Sequence, residues 1–169
     1  MDTQPIKNGA IVKTQYGQVR GGINRDVHFF KGIPYGKPTD GARRWRRAEA
    51  PDSWAGIRDT FTFCDRAPQI DRERREANAW IRDTGTKSED CLALNIYTAA
   101  LKAKRPVMVY LHGGGFRYGS GGAAGLDGTN LAQNGKVLVV TLNHRLNVFG
   151  FGNFALASGN RLLESINLG

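Results

Sequence analysis

Cysteine is scarce in this chain, acidic residues are outnumbered, and long apolar runs are missing; each shortage removes a class of protein. The two cysteines, Cys64 and Cys91, permit one disulfide and no metal cluster, and without a secretory signal the plain expectation is two reduced, buried thiols. No zinc-ligand spacing accompanies them. No apolar run approaches the roughly 18 residues needed to span a bilayer, so no membrane span is expected. The start, Met1 to Lys7, has no apolar h-region. The chain as given is therefore expected to be cytoplasmic, or secreted or periplasmic if its N-terminus is processed.

The deficit of acid leaves a formal charge of +9 and a pI near 9.9. A charge of that size raises nucleic-acid binding as a candidate. The basic residues are scattered, however, apart from Arg43-Arg-Trp-Arg-Arg47 and the mixed run Asp71 to Glu76. The first is a candidate phosphate-facing patch, and the second reads as a solvated helix face. Neither comes with a helix-turn-helix or RNA-recognition pattern, so no specific nucleic-acid partner is expected.

Glycine is abundant, at 22 residues, which suits a loop-rich protein and argues against a helical bundle. The length allows one ordinary domain. The chain is organised around Pro106-Val-Met-Val-Tyr-Leu-His-Gly-Gly-Gly-Phe116. Val107 to Leu111 is an apolar run that predicts a strand buried on both faces. It runs into three glycines, whose backbone is free to take conformations closed to other residues. Such a loop can aim N–H groups at a developing negative charge. The competing reading is a tight turn with no chemical role.

Elsewhere, Ile11 to Arg20 predicts a hairpin turning near Tyr16-Gly17, and Val27 to Phe30 a further short strand carrying a structural His28. Residues 37–56 are irregular, with Trp45 and Trp54 expected to pin the loop to the body. A helix is expected over about 72–82, with Ala77 and Trp80 as a modest apolar contact. Strands follow at about 94–98, 106–111 and 137–142. A short helix near 129–134 would make a crossover between a parallel pair. The fold class is α/β, with N-terminal antiparallel strands joined to the first strands of a mostly parallel sheet.

These segments resemble the type-B carboxylesterases, the carboxylesterase/cholinesterase family of α/β-hydrolases. The matches run in family order: Gly32-Ile-Pro-Tyr-Gly36, Arg44-Trp45, Trp54 to Arg58, Ala67-Pro-Gln69, Ser88 to Asn95, the 106–116 stretch, and Val139 to Phe151. The resemblance implies an incomplete α/β-hydrolase fold, with residues 1–151 as the N-terminal part of the domain and 152–169 as a shortened or divergent tail. It implies that Gly114 and Gly115 supply oxyanion-hole N–H groups in an HGGG loop. Arg44 and Glu89 match a buried structural ion pair. Cys91 matches one half of the family's first disulfide. The usual partner position holds Ala67, with Cys64 three residues earlier, so that bond stays open. His144 reads as a packing or hydrogen-bonding residue. No cofactor and no metal are called for.

An ester hydrolase of this kind also needs a nucleophile on a Gly-x-Ser-x-Gly elbow, an acid and a histidine. The sequence contains no such elbow: Ser120 has Gly122 two residues after it but Tyr118 two before, and Ser158 and Ser165 have glycine at neither place. His28, His112 and His144 occupy positions the family uses for other purposes. Three expectations remain open. The chain is the N-terminal fragment of a serine esterase, inactive alone and taking a small-molecule ester only when completed. Or it is a non-catalytic stand-alone protein or partner-binding module. Or, weakest, it is a basic nucleic-acid binder resting on Arg43 to Arg47. The strands that would flank 137–142 are expected to be missing, and so are most of the helices that would cover 107–111 and 137–142, leaving an apolar face and an edge open to self-association or to a complementary C-terminal fragment.

Overall fold

The computed structural model describes residues 7–71, 76–81 and 85–159. Its strands are β1 (Lys7–Lys13), β2 (Gln18–Asn24), β3 (Val27–Pro34), β4 (Ile57–Asp59), β5 (Ala93–Thr98), β6 (Val107–Leu111) and β7 (Leu138–Leu142). Helix α1 (Thr129–Gly135) lies between β6 and β7, and two short helices, α2 (Asn147–Phe151) and α3 (Ala155–Ser158), follow β7. All seven strands form one mixed sheet in the order β1-β2-β3-β5-β7-β6, with β4 added parallel to β2. The fold is an incomplete α/β-hydrolase-like sheet.

The N-terminal half is an antiparallel meander. Between β2 and β3 the turn is only Arg25-Asp26, both with positive φ (47° and 61°), and Asn24 pairs with Val27. Positive φ at both central residues makes the kind of turn whose twist suits a two-residue hairpin. No glycine marks it, so this turn leaves no signal in the sequence. In β3 the register against β5 slips between Phe30 and Ile33. Strand alternation puts Phe29 with Val27, Tyr97, Ala132 and Val139 on one face and Phe30 on the other, and the irregularity after Phe30 brings Ile33, three residues on, to the same cluster as Phe30 and Val19. Burying side chains such as these contributes about 2 kcal/mol each.

β7 pairs antiparallel with β5, and beyond β5 the sheet turns parallel only between β7 and β6. β6 and β7 pair in parallel from Val107–Leu138 to Leu111–Leu142, joined through α1, as the two apolar runs and the short helical stretch predict. α1 packs against β3, β5 and β7 and buries Thr129 and Ala132.

Two expectations about these strands are corrected. Val107 to Leu111 is not buried on both faces: its five side chains are 40–66% exposed. The open edge belongs to β6 and not to 137–142, because β7 inserts between β5 and β6. An apolar run reports that a strand is made for burial, but not whether neighbours within the chain provide it. Here α1 lies over β3, β5 and β7 and leaves β6 bare.

The helix expected over 72–82 appears as a 3-10 segment, Glu76–Ile81, with Trp80 exposed; residues 72–75 and 82–84 lie outside the described residues. The divergent tail expected from 152 contributes α3, and residues 160–169 also lie outside the description. Trp45 and Trp54 do pin the irregular loop. Trp45 stacks on Phe149 at 5.2 Å, and Trp54 donates its indole N–H to the Gln18 carbonyl at 2.9 Å. Among the described residues no helix is long and apolar enough to cross a membrane.

Candidate functional site

At the C-terminal end of β6 the backbone turns sharply through Gly114 (φ +137°), Gly115 (φ +60°) and Phe116 (φ +61°). A β-carbon at Gly114 would stand 1.8 Å from the Tyr118 carbonyl oxygen, so glycine alone fits. At Gly115 space is open and only the left-handed backbone favours glycine. The Arg117 N–H closes the turn on the Gly114 carbonyl at 3.2 Å. Among the described residues, neither the Gly114 nor the Gly115 N–H has an acceptor. Two donors in a turn of this kind suit an anionic oxygen.

The turn is held by residues from three other segments. His112 Nδ1 lies 3.0 Å from the Gly113 carbonyl, which can only accept, so this nitrogen carries the proton. The ring stacks on His144 at 4.6 Å and 8°. Burial pushes the His112 pKa down; the hydrogen bond to Gly113 opposes this and the His144 ring adds to it. His144 in turn donates from Nδ1 to the Arg145 carbonyl at 2.8 Å, a hydrogen-bonding and packing role. His28 sits on β3 opposite Thr98, away from the turn.

Gln69 grips the returning leg of the loop. Its Oε1 accepts from the Gly119 N–H at 2.7 Å, and its Nε2 donates to the Gly119 carbonyl at 2.9 Å. Gly119 passes so close to the turn that a β-carbon there would meet His112 Nδ1 at 2.3 Å. Asn143, just past β7, is the second tie. Its Oδ1 accepts from Gly121 N–H (2.7 Å) and from the Ser120 hydroxyl (3.2 Å), while its Nδ2 donates to the Asp65 carbonyl (3.0 Å). Tyr35 donates its hydroxyl to the Asn143 carbonyl at 2.6 Å. Neither role was legible from sequence. Both residues fell within recognisable motifs, but an amide gives no sign of which peptide it will hold.

Ser120 is fully buried, and its oxygen also accepts the Gly122 N–H at 2.9 Å. That is the geometry of a turn-stabilising hydroxyl. Arg44 and Glu89 do meet, with Arg44 Nε donating to Glu89 Oε2 at 2.6 Å. The pair is not buried as expected: the Arg44 side chain is 44% exposed and Glu89 17%. It sits in a crevice with Trp45, Arg145 and Phe149. Cys64 and Cys91 are both free. The Cys64 sulfur faces the Asp65 and Cys91 carbonyls at 3.2 and 3.7 Å and accepts from Asn143 Nδ2 at 3.3 Å, so it does not engage the Cys91 sulfur. Burial raises their pKa values to about 11 and about 12, which keeps both as thiols at neutral pH. Among the described residues no three His, Cys, Asp or Glu side chains converge as metal ligands.

The turn at the end of β6, on this sheet, coincides with a family model described as "Carboxylesterase family", which matches residues 8–163. The chain belongs to that family. It is 41% identical to the para-nitrobenzyl esterase of Bacillus subtilis (strain 168) over 83% of its own length and 28% of that protein's. It is 45% identical to the fumonisin B1 esterase of Sphingopyxis macrogoltabida, over 82% of this chain and 25% of the relative. Among solved structures, a carboxylesterase of Geobacillus stearothermophilus superposes with a TM-score of 0.82 at 40% identity, covering 94% of this chain and 31% of that one. The chain thus spans about a quarter to a third of the length of the carboxylesterases it matches. The chain has the fold and family of an esterase; its sequence holds no Gly-x-Ser-x-Gly elbow, and no triad is assembled among the described residues.

Proposed function

We propose that this chain is the N-terminal portion of a serine carboxylic ester hydrolase and supplies the oxyanion loop for an acyl-transfer site. The nucleophile, base and acid of that site would come from outside these residues. The observation that carries this is the pair of left-handed glycines, Gly114 and Gly115, whose N–H groups have no acceptor among the described residues, at the end of a parallel strand. When a nucleophile attacks an ester carbonyl, the oxygen gains negative charge, and two fixed N–H donors stabilise it more than they stabilise the planar ester. His112, Gln69 and Gly119 hold the donors in place before the reaction, so little reorganisation is needed. The substrate class is a small-molecule ester.

A loop of this kind lowers a barrier only when a nucleophile raises the charge it stabilises. The isolated chain is therefore expected not to turn over p-nitrophenyl esters. Turnover that disappears on Ser120→Ala would overturn this, by making Ser120 a nucleophile. Turnover unaffected by that change points to a contaminating esterase. A second reading, a non-catalytic partner-binding protein, draws on the exposed apolar β6. A sharp, cooperative unfolding transition of a monomer would favour it.

A further inference from the structure

We infer that His144 is a positioning residue for the glycine turn: with Phe151 it clamps both ends of the turn, and the clamp opens when the His112–His144 stack takes up a proton. That the turn serves an oxyanion rests on the function proposed above; the clamp itself stands on geometry alone. Gly113, Gly114 and Gly115 have no side chains, so side-chain packing can fix the turn only through the residues at its two ends, His112 and Phe116. Each end meets one ring from the segment after β7. His112 stacks on His144 at 4.6 Å and 8°, and Phe116 lies against Phe151 at 4.7 Å and 58°. His144 and Phe151 in turn meet edge to face at 6.2 Å. The four rings form a row that begins and ends on the turn. The segment that brings His144 and Phe151 is itself fastened. The Asn147 N–H donates to the Phe116 carbonyl, and Asn147 Nδ2 donates to the Pro68 carbonyl, both at 2.7 Å.

The stack is built for neutral rings. His112 donates from Nδ1 to the Gly113 carbonyl at 3.0 Å, and His144 from Nδ1 to the Arg145 carbonyl at 2.8 Å. In the neutral rings Nε2 therefore carries a lone pair and no proton. His112 Nε2 is buried and has no hydrogen-bond partner among the described residues. A proton arriving there would be a donor without an acceptor, and would set a charge against the face of a second imidazole. Among the described residues no carboxylate pairs with either ring to offset that charge. Arg117 and Tyr118 are the ionisable groups that follow on the loop, and α2 carries none. Arg145, beside His144, donates to the Arg46 carbonyl at 2.8 Å. On the segment around Gln69, Asp65 accepts from the Thr86 hydroxyl and Asp71 pairs with Arg66 and Lys87. Burial, helped by the His144 ring, holds the His112 pKa down against the Gly113 hydrogen bond. Below the ordinary imidazole value of 6.5, a His112 ring that has left the stack binds the proton more readily than one within it. Acid therefore parts the rings and frees one end of the turn. Donors that move are no longer ready-placed for a developing charge.

Nuclear magnetic resonance of the isotope-labelled 169-residue chain at low salt tests this. The Gly114 and Gly115 amides are expected to be rigid at pH 8, with order parameters of about 0.85, and to fall below about 0.6 at pH 5. The change should share the midpoint of the His112 ring titration. His144→Ala should loosen both amides already at pH 8 and raise that midpoint. His144→Phe, which keeps a flat ring and removes its proton site, should restore rigidity at pH 8. Phe151→Leu should loosen Gly115, next to Phe116, more than Gly114. Unchanged signals from Leu138 to Leu142 show that each variant is folded. Should His144→Ala fail to fold, the wild-type titration and Phe151→Leu decide. Amides that are mobile at pH 8, that stay rigid through the His112 titration, or that ignore these substitutions would overturn the inference. No ester enters the measurement, so an inactive completed enzyme would count against the proposed function and leave the clamp standing.

Discussion

A methyl group added at Gly114 would collide with the Tyr118 carbonyl, whereas one added at Gly115 meets nothing within 4 Å. Gly115→Ala should therefore cost only the left-handed backbone, about 1–2 kcal/mol, and Gly114→Ala clearly more. Urea unfolding of the two variants checks the order; equal losses would mean the loop relaxes at 114. In a completed enzyme, Gly115→Val is expected to slow acylation, since one oxyanion donor contributes about 3 kcal/mol to the transition state. Unchanged acylation kinetics in a folded enzyme would remove Gly115 from the site. His112 adds a pH dependence. Its folded pKa lies below the unfolded value, so the unfolded state binds the extra proton first. Its contribution is present above the ordinary imidazole value of 6.5 and is lost as pH falls through that value towards the lower folded one. Urea midpoints at pH 8 and pH 5 should differ in that direction, and His112→Gln should flatten the difference. Asp71, held low by hydrogen bonds from Lys87 and Arg66, keeps its contribution above the ordinary carboxylate value and loses it at more acidic pH, as pH falls from that value towards the lower folded one.

Between elements, Asn143 matters more than any single strand contact, because it joins the end of β7 to the 118–122 loop and to the 64–67 segment. Asn143→Ala would leave the buried Gly121 N–H without its acceptor and is expected to cost about 2–3 kcal/mol. A loss below about 1 kcal/mol would show that water replaces the amide. The sequence announced the strands well. Two apolar runs and the glycines after the first located β6, β7 and the turn, and the family motifs located Gly114 and Gly115. It did not announce what holds them. Gln69 and Asn143 act by reaching peptides far along the chain, a tertiary fact with no periodicity. β4 and α2 are a three-residue strand and a five-residue helix, too short to leave a pattern. The apolar run of β6 predicts burial on both faces, yet its residues are exposed, for a different reason. Its composition records the environment for which it is suited, whereas exposure depends on neighbours the described residues do not include.

For the molecule as a whole, apolar area and charge oppose each other. The +9 charge resists association of copies through repulsion, and that resistance weakens as salt shortens the Debye length from about 10 Å at 0.1 M to about 3 Å at 1 M. The bare β6 edge is indifferent to salt at these levels. Association of copies is therefore expected to grow with added sodium chloride, which light scattering across a salt series checks. Dissociation on adding salt would mean that charge contacts, and not the apolar edge, hold copies together.

The strand order has a consequence for synthesis. β7 is made after β6 but lies between it and β5. When Leu111 leaves the ribosome, the meander through β5 has already been translated, yet the native neighbour of β6 does not exist. At roughly 5–20 residues per second, β6 waits a few seconds before Leu138 to Leu142 emerge. During that interval the nearest open edge is β5 itself, and pairing there would occupy the slot that β7 must take. The nascent chain thus passes through a window in which its most apolar strand has only a wrong partner. Slowing translation between Gly113 and Val137 should lengthen that window and lower the yield of native protein, while leaving the stability of molecules that do fold unchanged.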